Sequence, residues 1–399
     1  MISLPPSRRW TAPALALLLG LSAACSQTKT DGTAAAPGAT SETPAAGAGD
    51  NGAAPANSPL QVVTEIAEPQ MVALAVTGDG RKFGTFPRWD HNPVNPVAEF
   101  SADGRSVKPY PNASWCTWND SVKTDPQHHW ICPQAIIVDK TGLLWVLDPA
   151  APGMKFIVAG GPKLVCIDPK TNQVVKNISF GPDLAPAKSY LNDVRIDTDK
   201  QIAYLTESSQ GGIIVMDLKT QKGRRLLTKH PSVKAEKGLI LKASGTHEMI
   251  DAKGKPMMVN SDGIALSRDG QYLYYQPITA HHLYRIKTEA LRNPALSEAQ
   301  LGQQVENLGE VPATDGLEID AQNNVYFTAF EQDALVRRSP DGKLTTLVKE
   351  DRLLWPDTYA WGADNTLYVT ASAIQNGPTW NKGVGLPGTM YRTFKMKLP

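Results

Sequence analysis

No basic block or stripe runs through this sequence. Its 40 Lys and Arg stand against 39 Asp and Glu, a net charge of +1, and without a cationic footprint no nucleic-acid partner is expected. A nucleophile-elbow serine, a phosphate loop and a dinucleotide fingerprint are all missing, which argues against serine-hydrolase and nucleotide chemistry and against a nucleotide cofactor. Cysteine is scarce, at four residues, and no two have the spacing of a zinc site. The pairs His128-His129 and His281-His282 cannot chelate jointly, because adjacent side chains of an extended chain point to opposite faces. His247-Glu248 has no second His at helical spacing. Helical periodicity is also missing, and the one helix to be expected lies near residues 290–301.

What is present begins with Arg8 and Arg9, an apolar run over 12–24 too short to span a bilayer, and Cys25 after Leu21-Ser22-Ala23-Ala24. That is the pattern of a secretory signal. The small residues before Cys25 resemble a bacterial lipobox, although Leu21 stands four rather than three positions before the cysteine. Residues 1–25 are therefore expected to be a signal with Cys25 as the lipidated residue; ordinary cleavage nearby is the plainer alternative. Residues 26–59 are mostly Ala, Gly, Pro, Ser and Thr, too polar and too small to form a core, and read as a tether. An exported protein at the periplasmic or cell surface is expected, touching membrane only through its anchor, or else an extracellular one. Cys116 and Cys132 flank a short loop, and a disulfide there would be worth about 3 kcal/mol. Cys166, in an apolar run, reads as a buried thiol.

Residues 60–399 repeat one pattern: a polar residue, an apolar strand ending in Asp or Ser, a turn, then a second strand rich in Val, Tyr and Leu. Clear copies open at Asn192, Asp262 and Asp315, with further ones at Gln134 and Asp357 and a degenerate copy over 71–85. Four short strands per unit, at a spacing of about forty to sixty residues, predict an all-β, six-bladed β-propeller. A strand over 60–66 is placed to close the last blade beside residues 389–396.

In a propeller the residue opening each inner strand faces one mouth of the channel, as do the loops between second and third strands. Gln134, Asn192, Asp262, Asp315 and Asp357 should therefore converge with Arg88, Trp89, Asp90, His91, Asp148, Glu207, Ser208, His281, His282 and Glu331. An Asp at a strand start often only caps a turn. Three like charges around a narrow channel, however, repel unless water or a cation intervenes.

Several segments carry a family likeness. Gly84-Thr85-Phe86-Pro87-Arg88-Trp89, Pro109-Tyr110-Pro111-Asn112, Leu144-Trp145-Val146-Leu147-Asp148, and Leu191-Asn192-Asp193 with Gly212-Ile213-Ile214-Val215 resemble, in the same order, the yellow and major royal jelly protein family. The resemblance implies a secreted six-bladed propeller; some insect members bind biogenic amines and some are credited with converting dopachrome. The repeat is also distantly similar to gluconolactonase and regucalcin propellers, which hold one divalent metal with a Glu, two Asn and an Asp. On that frame Gln134, Asn192, Asp262 and Asp315 take the ligand positions, with Gln for Glu and Asp for the second Asn. Oxygen donors of this number suit Ca²⁺ or another divalent cation.

Two functions follow as expectations. The first is capture of a small, cationic or aromatic ligand by a monomer, with Arg88, Trp89, His91, Asp148, Glu207, His282, Glu331 and Asp357 around it. The second is an enzyme, a metal-dependent lactonase or a dopachrome-converting isomerase, with Asp357 or Glu207 as base.

Overall fold

The computed structural model describes residues 54–55, 57–119 and 125–398. The expected signal, Cys25 and most of the expected tether lie outside the described residues. Within them, six four-stranded antiparallel sheets form the blades. Their innermost strands are Ala73–Val76, Ala135–Val138, Leu191–Asp197, Ser261–Leu266, Leu317–Ile319 and Pro356–Trp361, one for each copy of the repeat.

The blades are built from β-branched and aromatic strands that pack face against face around the ring. The second strand of blade III, Ile202–Glu207, is buried at every position, whereas the outermost strand of blade II, Gln173–Ser179, alternates toward solvent. The core is accordingly not one globule but a series of interfaces. Val72, Phe83, Ile136 and Val146 join blades I and II, and Trp145, Leu164, Leu205 and Ile214 join blades II and III. Fully buried threonines on second strands also latch a blade to its successor. Thr85 Oγ1 donates to Gln134 O at 2.6 Å, Thr206 Oγ1 to Asp262 O at 2.6 Å and Thr370 Oγ1 to Val72 O at 2.8 Å.

The ring closes as the sequence predicts. Strand Gln61–Ile66 pairs antiparallel with Tyr391–Lys397, with Gln61 opposite Lys395 and Ile66 opposite Tyr391. The predicted helix is instead two short ones, Thr288–Arg292 and Glu298–Gly302. Asn293 precedes Pro294, which disfavours helical geometry at that residue, and Ser297 with Gln300 forms a capping box that starts the second helix afresh.

Candidate functional site

At the end of the channel where the inner strands begin lies a cavity of about 470 Å³. Trp89, Gln134, Tyr190, Asn192, Asp262 and Asp315 line it, with Met257, Met258, Ile278, Trp355, Ile374 and Trp380 as largely apolar walls. All four positions of the predicted ring from Gln134 to Asp315 thus meet in one place.

Local backbone explains why. The pairing of inner with second strand shifts register between Leu191 and Val194, between Ser261 and Gly263, and between Pro356 and Tyr359. Each irregularity contains a ring residue, Asn192, Asp262 or Asp357, and such bulges re-aim side chains. Two glycines let the blades approach: a Cβ at Gly263 would stand 2.5 Å from Asp315 O, and one at Gly316 only 2.0 Å from Asp357 O. The Asp-Gly pairs of the repeat therefore combine a ring carboxyl with the room its neighbour's backbone needs.

The floor is a network of buried polar groups. Asn192 Nδ2 donates to Asp262 Oδ1, and the Asp262 and Asp315 carboxyls are within hydrogen-bonding reach of each other. Trp355 Nε1 donates to Asp315 Oδ2 at 2.7 Å, and Ser372 Oγ to Asp357 Oδ2 at 2.9 Å. Tyr190 OH donates to Gln134 Oε1 at 2.8 Å while accepting from Trp89 Nε1 at 2.7 Å. Burial, reinforced by the neighbouring carboxyls, raises Asp262 and Asp357 well above the ordinary carboxylate range. Burial also raises Asp315, to about 6, against the Trp355 hydrogen bond that favours its ionised form. Burial and the mutual repulsion of the carboxyls thus favour a shared proton on the Asp262–Asp315 pair. Asp193, next to the ring, is raised by burial too, although Arg195 Nη1 lies 3.0 Å from its Oδ1.

Asp357, whose buried carboxyl feels that of Asp315, does not line the cavity. Of the predicted loop residues Trp89, Asp90 and Ser208 line the cavity, and the rest are placed elsewhere. The Arg88 guanidinium donates to Trp130 O and Ile131 O, both at 2.8 Å, and clamps a loop. His91 is exposed and does not line the cavity. Asp148 accepts the backbone N–H groups of Ile131, Cys132 and Ala150 and pairs with Lys163 at 2.8 Å, all buried. Glu207, at the matching position of the next blade, accepts from Tyr190 N, Ser209 N and Gln210 N and pairs with Arg225. With its oxygens so occupied it is not a free base. Acids at the end of these two second strands turn back onto the segment entering the inner strand, which strand position alone does not reveal. His282 pairs with Glu236 at 2.6 Å and His281 with Glu331 at 2.7 Å, outside the cavity lining.

The expected Cys116–Cys132 bridge is not formed, and both thiols are free, as is Cys166. Cys116 Sγ donates to Val97 O at 3.7 Å, while burial and the adjacent Asp148 push the fully buried Cys132 thiol up to about 12. The two side chains thus engage different neighbours.

Two residues escaped the repeat analysis. Tyr190 precedes Leu191-Asn192, and Trp355 precedes Pro356-Asp357; the signal was an aromatic just upstream of a ring residue. Trp355 has φ 49, a left-handed backbone uncommon for a bulky residue, and stacks on Phe330 at 4.0 Å between centroids. That packing holds its indole N–H on Asp315.

The fit to a divalent metal is incomplete. Asn192, Asp262 and Asp315 can offer oxygens, but Gln134 Oε1 already accepts from Tyr190. Among the described residues no three His, Cys, Asp or Glu side chains are grouped to hold an ion.

Fold and cavity together define a six-bladed propeller with an acidic, aromatic-walled pocket at one mouth of its channel. The sequence profile of the major royal jelly protein family matches residues 131–376, and the chain belongs to that family. It is 25% identical over 204 residues to major royal jelly protein 3 of Apis mellifera, covering 49% of this chain and 34% of that protein. To major royal jelly protein 2 of the same species it is 26% identical over 218 residues, 52% and 45% of the two chains. The matched region is thus less than half the length of these relatives. Among solved structures, a streptogramin B lyase superposes with TM-score 0.50 at 12% identity, over 85% of this chain and 97% of that one. A gluconolactonase from Xanthomonas campestris does so with TM-score 0.50 at 12% identity, over 85% and 89%. At such identities these two likenesses concern the fold alone.

Proposed function

We propose that this propeller binds a small organic cation carrying an aromatic or apolar part. The observation that carries the reading is the buried carboxyl cluster Asp262, Asp315 and Asp357 beneath walls that include Trp89, Trp355, Met257 and Trp380. A cation over this floor draws the carboxyls into their ionised form, and the indole faces favour it further. Neutral sugars gain nothing from the charge, and anions are repelled. Purified protein titrated calorimetrically with catecholamines and indoleamines should give saturable heat, and Asp262→Asn should weaken binding about tenfold or more. Absence of heat with every amine, or an undiminished affinity in Asp262→Asn, contradicts the reading.

A resident Ca²⁺ or similar ion, and with it lactonase or dopachrome chemistry, is the second reading. It is supported by the convergence of Asn192, Asp262 and Asp315 and weakened by the Gln134–Tyr190 hydrogen bond. Amine binding that persists in chelator favours the first reading.

The same proposal has the protein exported and held at a membrane through Cys25, with 26–59 as spacer. In cell fractionation the wild type should sediment with membranes and incorporate labelled fatty acid, and Cys25→Ser should do neither. A wild-type protein found entirely soluble refutes the anchor and leaves the pocket untouched.

A further inference from the structure

On the face opposite the pocket, where the inner strands end, a second cavity of about 430 Å³ is lined from the turns that follow the inner strands of blades IV, V and VI. Two arginines set its charge. Arg268, exposed, lies over the Trp361 ring with Cζ 5.7 Å from the centroid, and Arg337 reaches the Tyr326 hydroxyl. Among the described residues neither arginine is paired with a carboxylate. The one acid in the wall, Asp320, is already saturated. Its Oδ1 accepts from Gln322 N and Asn324 N, both at 2.9 Å, and its Oδ2 from Asn324 Nδ2 and Tyr326 OH, both at 2.8 Å. Asp269, Asp341 and Asp364, on turns of the same face, do not line the cavity; Asp269 accepts from Ser267 Oγ and Gln271 N, and Asp341 from Lys343 N and Ser339 Oγ. Two guanidiniums against one carboxylate leave the wall net positive.

The donors say more than the charge. Arg337 Nε and Trp361 Nε1, both in this wall, are buried without a hydrogen-bond partner. A buried N–H that finds no acceptor is costly, and two around one cavity point to an acceptor that belongs there. We propose that this cavity binds an oxyanion, a phosphate or carboxylate group, carried on a small hydroxylated molecule such as a sugar phosphate or a uronic acid. Guanidinium forks match an oxyanion in shape as well as charge. Arg268, whose only partner among the described residues is the Trp361 ring, turns from that ring onto the incoming group and opens the approach to the indole N–H. The volume lies in the range of small-molecule sites and exceeds what a bare oxyanion fills. The amides of Gln322, Asn324 and Asn365 in the wall suit hydroxyl groups rather than an apolar body. The site is separate from the pocket at the other mouth and does not depend on what that pocket binds.

The test titrates the full chain calorimetrically, at low salt, with glucose 6-phosphate, glucuronate, inorganic phosphate and glucose. Saturable heat is expected from at least one of the two sugar anions, weaker binding of inorganic phosphate and none of glucose; which sugar anion responds tells phosphate from carboxylate. Arg268→Gln, at an exposed position, should leave the melting temperature of the ligand-free protein unchanged and weaken binding about tenfold. Trp361→Phe keeps a ring but removes the N–H and should also weaken it. Asp262→Asn, in the other pocket, should not change it, and added salt should reduce it. No heat from either sugar anion, glucose or inorganic phosphate binding as tightly as both of them, or undiminished affinity in either Arg268→Gln or Trp361→Phe overturns the proposal. A loss in Asp262→Asn as large as that in Arg268→Gln assigns the heat to the other pocket and overturns it too.

Discussion

Lys163→Met should cost the folded protein about 3–5 kcal/mol, read as a drop in the urea midpoint multiplied by its slope. Lys163 and Asp148 form an ion pair in which both side chains are fully buried. The ammonium also donates to Pro126 O at 3.1 Å and Gly161 O at 3.3 Å. A thioether keeps most of the volume but removes the charge, stranding a carboxylate in apolar surroundings together with two carbonyls that lose a donor. Burial alone disfavours the charged lysine, and the nearby Asp148 opposes that effect, so each ion depends on the other. Adding Asp148→Asn to Lys163→Met should restore part of the loss, because the amide oxygen still accepts from the Cys132 and Ala150 N–H groups and the unpaired buried charge is gone, although the amide NH2 cannot accept from Ile131 N–H. A loss below about 1 kcal/mol in the single variant would mean that the backbone N–H bonds alone hold Asp148.

The ligand-free protein should lose stability as pH rises from about 4 to above 6, and Asp315→Asn should remove a large part of that slope. In the unfolded chain Asp315 titrates near its ordinary value of 3.8, whereas in the fold burial raises it to about 6. Below both values the two states hold the same proton and the group contributes nothing to the balance. Between them the folded state keeps a proton that the unfolded state has released, so stability falls with pH until the folded carboxyl ionises as well. The loss from this one group is roughly 3 kcal/mol. Asp262 and Asp357, raised further, extend the decline to higher pH. Groups lowered in the fold, such as Glu99 beside Arg81, work in the opposite direction. The informative quantity is therefore the difference between parent and Asp315→Asn in melting temperature across pH; parallel curves would show that Asp315 is not held protonated.

Much of this architecture was legible because each repeat carries two independent signals, a polar residue at the strand start and an apolar run after it. The inner strands appear where those signals fall, and Gln134, Asn192, Asp262 and Asp315 reach one cavity because they occupy one position of the repeat. The loops were harder. Knowing that Arg88, Asp148, Glu207 and His282 sit near one face does not say which way they turn. Asp148 and Glu207 are consumed by backbone N–H groups that a linear reading cannot locate, and the histidines find glutamates some 50 positions away in the chain. Trp355 was invisible for another reason: its role depends on a left-handed backbone angle and on stacking against Phe330.

Because blade VI takes three strands from the C-terminal end of the described chain and one from its N-terminal end, the order of blades is cyclic. The first and last strands of the described residues run side by side, and neither is an end of the ring. A permuted chain that joined residue 398 to residue 60 through a short linker and opened instead between blades III and IV would keep all six sheets. It would, however, move the closing seam from blade VI to a boundary between blades. There the joint would rest on a latch like that of Thr206 on Asp262 O rather than on a full β-ladder, and such a protein would test how much of the ring's integrity belongs to the one blade that both ends of the chain build.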